Sequence, residues 1–241
     1  MISPATRLGL CTLTLPALLA LGGGAAYAQG AGHDHPAAGP AATAPEFKGD
    51  PYLLATDPVS GAALPEKPVV YQHEGRELRF ADLKSLDHFK ADPAKYLPGV
   101  DQKMAAQQAP FYPLDVCLIS GDKLGGDMGQ PVDLIYKNRL VRFCCPSCVK
   151  DFQKDPGAAM AKLDQAVIAK QGAHYPLTTC VVSGEKLGGA MGKPAELVVG
   201  NRLVRFCCAG CIPTFKKDPA KYLKLLDAAA AAKPADGKAT P

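Results

Sequence analysis

The chain has 241 residues, with 27 basic and 23 acidic side chains and a formal net charge of +4. So small an excess argues against nucleic acid as the partner and says little beyond ordinary solubility. Nine cysteines, eight of them between residues 117 and 211, are the feature that needs an explanation.

Arg7 is followed by the apolar run "LGLCTLTLPALLALGGGAAYA", which ends in the small-x-small pattern Ala26-Tyr27-Ala28. Residues 1–28 read as a secretory signal peptide cleaved after Ala28, too short and too Gly-rich to be a membrane span. Cys11 leaves with it, and the charge falls from +4 to +3 because Arg7 is the only charged residue in the segment. Cys11 does not close the apolar run as a lipoprotein cysteine would, so no lipid anchor is expected. No later stretch reaches the roughly 18 apolar residues of a spanning helix. The expectation is a soluble protein exported to a bacterial periplasm. Residues 29–48, rich in Gly, Ala and Pro, are expected to be a disordered leader. His33 and His35 within it form a His-x-His pair that can chelate Cu(II) or Zn(II), although histidines in such sequence commonly bind nothing. Residues 228–241, "AAAAAKPADGKATP", are expected to be a frayed, disordered tail. Folded structure is therefore assigned to residues 49–227.

That span contains three copies of one unit, at 49–107, 108–170 and 171–227. The second runs "FYPLDVCLISGDKLGGDMGQPVDLIYKNRLVRFCCPSCVKDFQKDP" and the third "HYPLTTCVVSGEKLGGAMGKPAELVVGNRLVRFCCAGCIPTFKKDP". Cys117, Cys144, Cys145 and Cys148 map onto Cys180, Cys207, Cys208 and Cys211, each 63 residues on. The first copy keeps the Ser-Gly turn, the Arg-x-x-Arg-Phe segment and the Phe-x-x-Asp-Pro ending, but it has no cysteine. Asp57 stands at the place of Cys117, and Ala81, Asp82 and Ser85 stand at those of Cys144, Cys145 and Cys148. This copy is expected to fold without metal.

Each unit reads as a turn, a hairpin and two short helices. Glu74-Gly75, Lys137-Asn138 and Gly200-Asn201 separate short apolar runs, and Gly and Asn tolerate the positive φ of a tight hairpin turn. Asp92-Pro93, Asp155-Pro156 and Asp218-Pro219 stop one helix and start the next, with Asp as N-cap and Pro at the first helical position. The recurrent phenylalanines, Phe80, Phe89, Phe143, Phe152, Phe206 and Phe215, are expected in the core. Units of about 60 residues usually need a staple of disulfides or metal.

The eight remaining cysteines divide into two sets of four with none left over. In each set one thiol precedes a Ser-Gly turn and three sit where a hairpin gives way to a helix. A helix N-terminus favours thiolate. Four thiolates from a turn and a helix start can surround Zn2+, and they suit the soft ion Cu+ equally well. All eight are candidate ligands for about two ions per chain. An even cysteine count in an exported protein also fits a disulfide framework, although a bond between the adjacent Cys144 and Cys145 would be strained. Thiol exchange at Cys145-Pro146-Ser147-Cys148 is a third reading, weakened by the absence of a βαβ pattern.

These motifs resemble the YHS/TRASH family of small metal-binding modules, with their Asp-Pro-Val-Cys-Gly turn, hairpin, Phe-Cys-x-x-x-Cys cluster and Phe-x-x-Asp-Pro ending. The matches are "DPVSG" at 57–61, "FCCPSC" at 143–148, "FCCAGC" at 206–211 and the three endings, spread over residues 50–227. The resemblance implies an α+β fold of three tandem treble-clef-like units, each with a knuckle-like turn, and a role in heavy-metal handling. It carries a ligand role to Cys144, Cys148, Cys207 and Cys211. Ser60, Ser120 and Ser183 replace the family's turn cysteine, while Cys117 and Cys180 stand at its Asp position and depart from the pattern. The expected partners are metal ions and a metal transport or efflux protein.

Met128 and Met191 occupy matching loop positions and are either soft ligands or apolar plugs. His73, His88, Asp57 and Asp82 offer hard-ion donors in the first copy, but in a spacing that matches no known site. No phosphate loop and no Ser/His/Asp arrangement occurs, so an enzyme is not expected. The functional expectation is a protein that sequesters or transfers zinc or copper. The alternative is a structural or interaction module whose cysteines only hold small units together.

Overall fold

At Glu74-Gly75, Lys137-Asn138 and Gly200-Asn201 the backbone takes positive φ at both residues, from 46° to 76°. Two such residues in succession match the twist of a two-residue hairpin. The computed structural model describes residues 49–232. The expected signal peptide and leader, with His33 and His35, lie outside them, as does the end of the tail. Each turn joins an antiparallel pair: β1 (Val69–His73) with β2 (Arg76–Phe80), β3 (Val132–Tyr136) with β4 (Arg139–Phe143), and β5 (Ala195–Val199) with β6 (Arg202–Phe206). The registers correspond, with Val69, Val132 and Ala195 opposite Phe80, Phe143 and Phe206.

Two helices follow each hairpin: α1 (Leu83–Ala91) and α2 (Pro93–Gln108), α3 (Pro146–Lys154) and α4 (Pro156–Gly172), α5 (Ile212–Lys217) and α6 (Pro219–Ala232). The described residues are thus α+β, with six helices and three two-stranded sheets. Asp92, Asp155 and Asp218 accept hydrogen bonds from the amides of Lys95, Ala158 and Lys221 at 3.1–3.2 Å. The Asp-Pro pairs therefore cap and open the second helices as their chemistry predicts. α2 and α4 run one and two residues past the unit boundaries drawn from sequence. α6 continues five residues into the stretch expected to fray, because its polyalanine has the highest helix propensity. α5 is short for a local reason. Pro213 has no N–H to give to Ala209, so the preceding turn, Ala209–Cys211, closes as a 3-10 turn, with the Cys211 amide on the Cys208 carbonyl.

The core is built on aromatic pairs. Phe80–Phe89, Phe143–Phe152 and Phe206–Phe215 are all fully buried, with ring centroids 5.3, 5.4 and 5.5 Å apart. The first two pairs belong to one continuous cluster and the third to a second cluster, which also takes in Leu53.

Side-chain amides tie one hairpin to the next. Asn138 donates to the Glu77 carbonyl at 2.7 Å, and Asn201 donates to the Leu140 carbonyl at 2.9 Å. Gln108 and Gln171 clamp the same turns from α2 and α4. Asp50 bridges furthest: its carboxylate pairs with Arg139 and accepts from the Gly200 amide at 2.6 Å.

Candidate metal centres

The first thiol of each set sits in a turn that the sequence repeats three times. Isolated bridges Thr56–Ala63, Val116–Lys123 and Thr179–Lys186 close it. Gly61, Gly121 and Gly184 donate their amides to the carbonyls of Asp57, Cys117 and Cys180 at 2.9–3.0 Å, with φ of 71–80° that glycine adopts without strain. The turn aims backbone N–H groups at one side chain. In the first unit they hold the fully buried carboxylate of Asp57: Val59 and Ser60 donate to Oδ1 at 2.8 Å each, and Ala81 donates to Oδ2 at 2.7 Å. In the other two units a sulfur takes this place. Burial pushes the Cys117 thiol up, but the Ser120 hydroxyl and the amides of Ser120, Cys144 and Ile119 bring it down to about 6. Cys180 is likewise raised by burial and brought down to about 6 by Ser183 and by the amides of Cys207 and Val182. All three turns hold an anion by amides of matching position.

The cluster thiols arrive from the other side. Phe143 and Phe206 end their strands inside the core, which turns Cys144 and Cys207 toward the turn. One helical turn later Cys148 and Cys211 come round to the same face. Sγ of Cys144 lies 3.7 Å from that of Cys148, and Sγ of Cys207 lies 3.7 Å from that of Cys211. Cys117, Cys144 and Cys148 converge with all three sulfurs within 4.8 Å of one another, and Cys180, Cys207 and Cys211 do the same. Cys117, Cys144 and Cys148 are 2%, 3% and 6% exposed, and the eight cysteines among the described residues are unbonded thiols. Burial together with the thiols of Cys144, Cys145 and Cys117 pushes Cys148 up to about 12. Burial, Cys207 and Cys180 do the same to Cys211. Each group therefore has one ready thiolate beside thiols that resist a second negative charge, Cys144 and Cys148 in one and Cys211 in the other. A cation at the centre reverses that resistance, because a coordinated thiol is deprotonated outright. Three converging sulfurs suit Cu+, or Zn2+ completed by a fourth ligand.

The structure thus brings together six of the eight candidate cysteines. Cys117 and Cys180, at the positions that depart from the family pattern, are within the convergent groups. Cys145 and Cys208 are outside them. They are partly exposed, with Cys145 Sγ 3.7 Å from Cys148 Sγ and Cys208 Sγ 3.9 Å from Cys207 Sγ. Of each candidate set of four, three thiols converge and the fourth stands beside them. Met128 and Met191 are 61% and 60% exposed, so neither is a buried plug. In the first unit His73 packs edge-on against Phe89 at 5.2 Å, His88 is exposed and Asp82 caps α1 by accepting from the Ser85 amide at 2.7 Å. They do not converge on Asp57.

Sequence reasoning missed the serines. Ser120 Oγ lies 3.4 Å from Cys144 Sγ and Ser183 Oγ lies 3.4 Å from Cys207 Sγ, while Asp122 approaches Cys144 at 3.9 Å. The signal was the Ser-Gly pair common to all three units, whose serines stand where the resembled family has a cysteine. No family model, curated protein or solved structure matches the chain.

Proposed function

We propose that this is an exported, periplasmic heavy-metal-binding protein that sequesters or transfers zinc or copper, one ion at each group of converging thiols. In this reading the three hairpin-and-helix units are treble-clef-like modules of YHS/TRASH type, two loaded and one metal-free, and a transport or efflux protein exchanges ions with them. The protein is not an enzyme in this reading. The observation that carries it is the convergence, in each of two units, of three thiols on one point, with the first already held toward thiolate by backbone amides. A disulfide uses only two of the three sulfurs, whereas one ion can use all three.

The first unit favours metal handling over a purely structural role. It builds the same turn, hairpin and helix pair around the Asp57 carboxylate. An ion is therefore not a requirement of the architecture.

The test is alkylation with mass spectrometry on protein taken anaerobically from its native compartment, alongside metal analysis. The expected result is about two zinc or copper ions per chain. Cys117, Cys144, Cys148, Cys180, Cys207 and Cys211 should resist alkylation until a chelator is added and then label fully. Thiols that label only after a reductant is added are disulfides, and that result overturns the proposal.

A further inference from the structure

Each group of converging thiols has one cysteine beside it that the group does not use, and these two cysteines share an unusual position. Cys145 is the N-cap residue of α3, and Cys208 has the same extended backbone ahead of the 3-10 turn that leads into α5, with φ of −156° and −155°. Neither side chain makes a capping hydrogen bond. The first unit shows what the position takes when helix stability alone decides: Asp82, whose carboxylate caps α1. A cysteine forfeits a cap that contributes about 1 kcal/mol, and it does so in both units that carry thiol groups. What the position has instead is a free sulfur at the edge of the site.

The spacing of that sulfur fits a shared ion. Metal–sulfur bonds of about 2.3 Å in a tetrahedral site hold two sulfurs roughly 3.8 Å apart. Cys145 Sγ stands 3.7 Å from Cys148 Sγ, and Cys208 Sγ stands 3.9 Å from Cys207 Sγ. Each therefore reaches an ion held by its buried neighbour with little movement. Cys117, Cys144, Cys148, Cys180 and Cys207 are 2–6% exposed, whereas Cys145 and Cys208, like Cys211, are partly open to solvent.

Taking the two thiol groups as ion sites, we infer that Cys145 and Cys208 are exchange thiols, through which the ion passes between the buried sulfurs and a thiol-bearing acceptor. As the exchange thiol bonds to the ion it gives up its proton, and the core thiolate whose bond breaks takes one up. The acceptor thiol then repeats the same substitution on the exchange sulfur. The same substitution at the remaining core sulfurs, each taking up a proton as its bond breaks, leaves the ion on the acceptor's two thiolates; no electron moves, and the coordination falls from three sulfurs to two.

The experiment uses the full chain loaded anaerobically with Cu(I). Transfer to a short peptide containing Cys-x-x-Cys is followed by stopped flow, and equilibrium affinity is measured by competition with bicinchoninate. The variant is Cys145→Ser with Cys208→Ser. Serine is itself a favoured cap, so both helices keep their starts. The expected result is transfer slowed about tenfold or more with affinity moved less than about threefold, the signature of a kinetic role rather than a change in binding free energy. The single variants should make transfer biphasic, with half of the ions slow. Unchanged transfer overturns the inference. So does a loss of affinity in step with the rate, because Cys145 and Cys208 would then be static ligands. A wild-type chain that takes up no Cu(I) or Zn(II) overturns the ion sites themselves, a failure distinct from either.

Discussion

Asp57 explains why one unit needs no thiols. Its carboxylate collects three backbone N–H groups from two separated segments, residues 59–60 and residue 81. It thereby ties the turn to the end of the hairpin, at the place where the converging thiols lie in the other two units. Asp57→Ala leaves three buried donors without an acceptor, at about 1–3 kcal/mol each. Urea unfolding should show a loss of at least about 3 kcal/mol. Asp57→Asn keeps an oxygen for Val59 and Ser60 but sets an NH2 group against the Ala81 amide, so it too should destabilise. Burial raises the pKa of Asp57, but the amides of Ser60, Ala81 and Val59 outweigh it and hold the carboxyl below its ordinary range. A folded-state pKa below the unfolded value contributes stability that is present at neutral pH and lost as pH falls through the carboxylate range, below about 4. The stability gap between wild type and Asp57→Asn should therefore narrow on acidification from neutral pH to about 3. A gap that stays constant would mean that charge is not what these amides bind.

The turn, hairpin and helix pair places its polar end in the same arrangement three times, whichever side chains fill it. The position-matched amides that hold Asp57 also lower Cys117 and Cys180. The site is thus a property of the elements, and the ligands are interchangeable parts. Asp57→Cys combined with Ala81→Cys and Ser85→Cys should accordingly install a third ion site. Metal analysis should rise by one ion per chain, and Asp57→Cys alone should add none. The polar end stays in place because the pairs Phe80–Phe89, Phe143–Phe152 and Phe206–Phe215 lock each hairpin to its first helix. An arginine in each hairpin also reaches an aspartate on the second helix: Arg76–Asp101 at 2.6 Å, Arg139–Asp164 at 2.7 Å and Arg202–Asp227 at 2.5 Å.

Across the whole molecule, the thiol groups are local and stability is shared. Each thiol group draws its sulfurs from a single turn and hairpin end. Cys148→Ser should lose one ion and leave the group of Cys180, Cys207 and Cys211 loaded, as native mass spectrometry would show; loss of both ions would mean the sites are coupled. The fold is joined elsewhere, at Asp50. Its carboxylate meets Arg139 on β4 and the amide of Gly200 in the third hairpin turn. Arg139 is 5% exposed, and despite its burial the charges of Asp50 and Asp164 raise its pKa further. The arrangement has one cost. Asn138 Oδ1 accepts from Arg76, but Asn201 Oδ1 has no partner, because Asp50 occupies the guanidinium that stands in the corresponding place. Asp50→Ala breaks a buried pair and should lower stability by about 3 kcal/mol, with ion stoichiometry unchanged. Urea unfolding with metal analysis separates the two readouts.

The sequence by itself determined the local structure. Paired positive-φ residues dictate the hairpins, Asp-Pro pairs dictate the helix starts, and phenylalanines at fixed offsets dictate the core contacts, because each depends on residues close in the chain or repeated within it. The two cysteine sets were legible for the same reason. Only the tertiary structure decided which thiols meet. Adjacent cysteines look alike in the sequence, and the folded backbone puts Cys144 in the converging group and leaves Cys145 beside it, partly exposed. The anion-holding role of Asp57 and the bridge made by Asp50 also escaped the sequence. Their partners lie 24 residues away for Asp57 and as many as 150 for Asp50, and no local pattern encodes contacts at that separation.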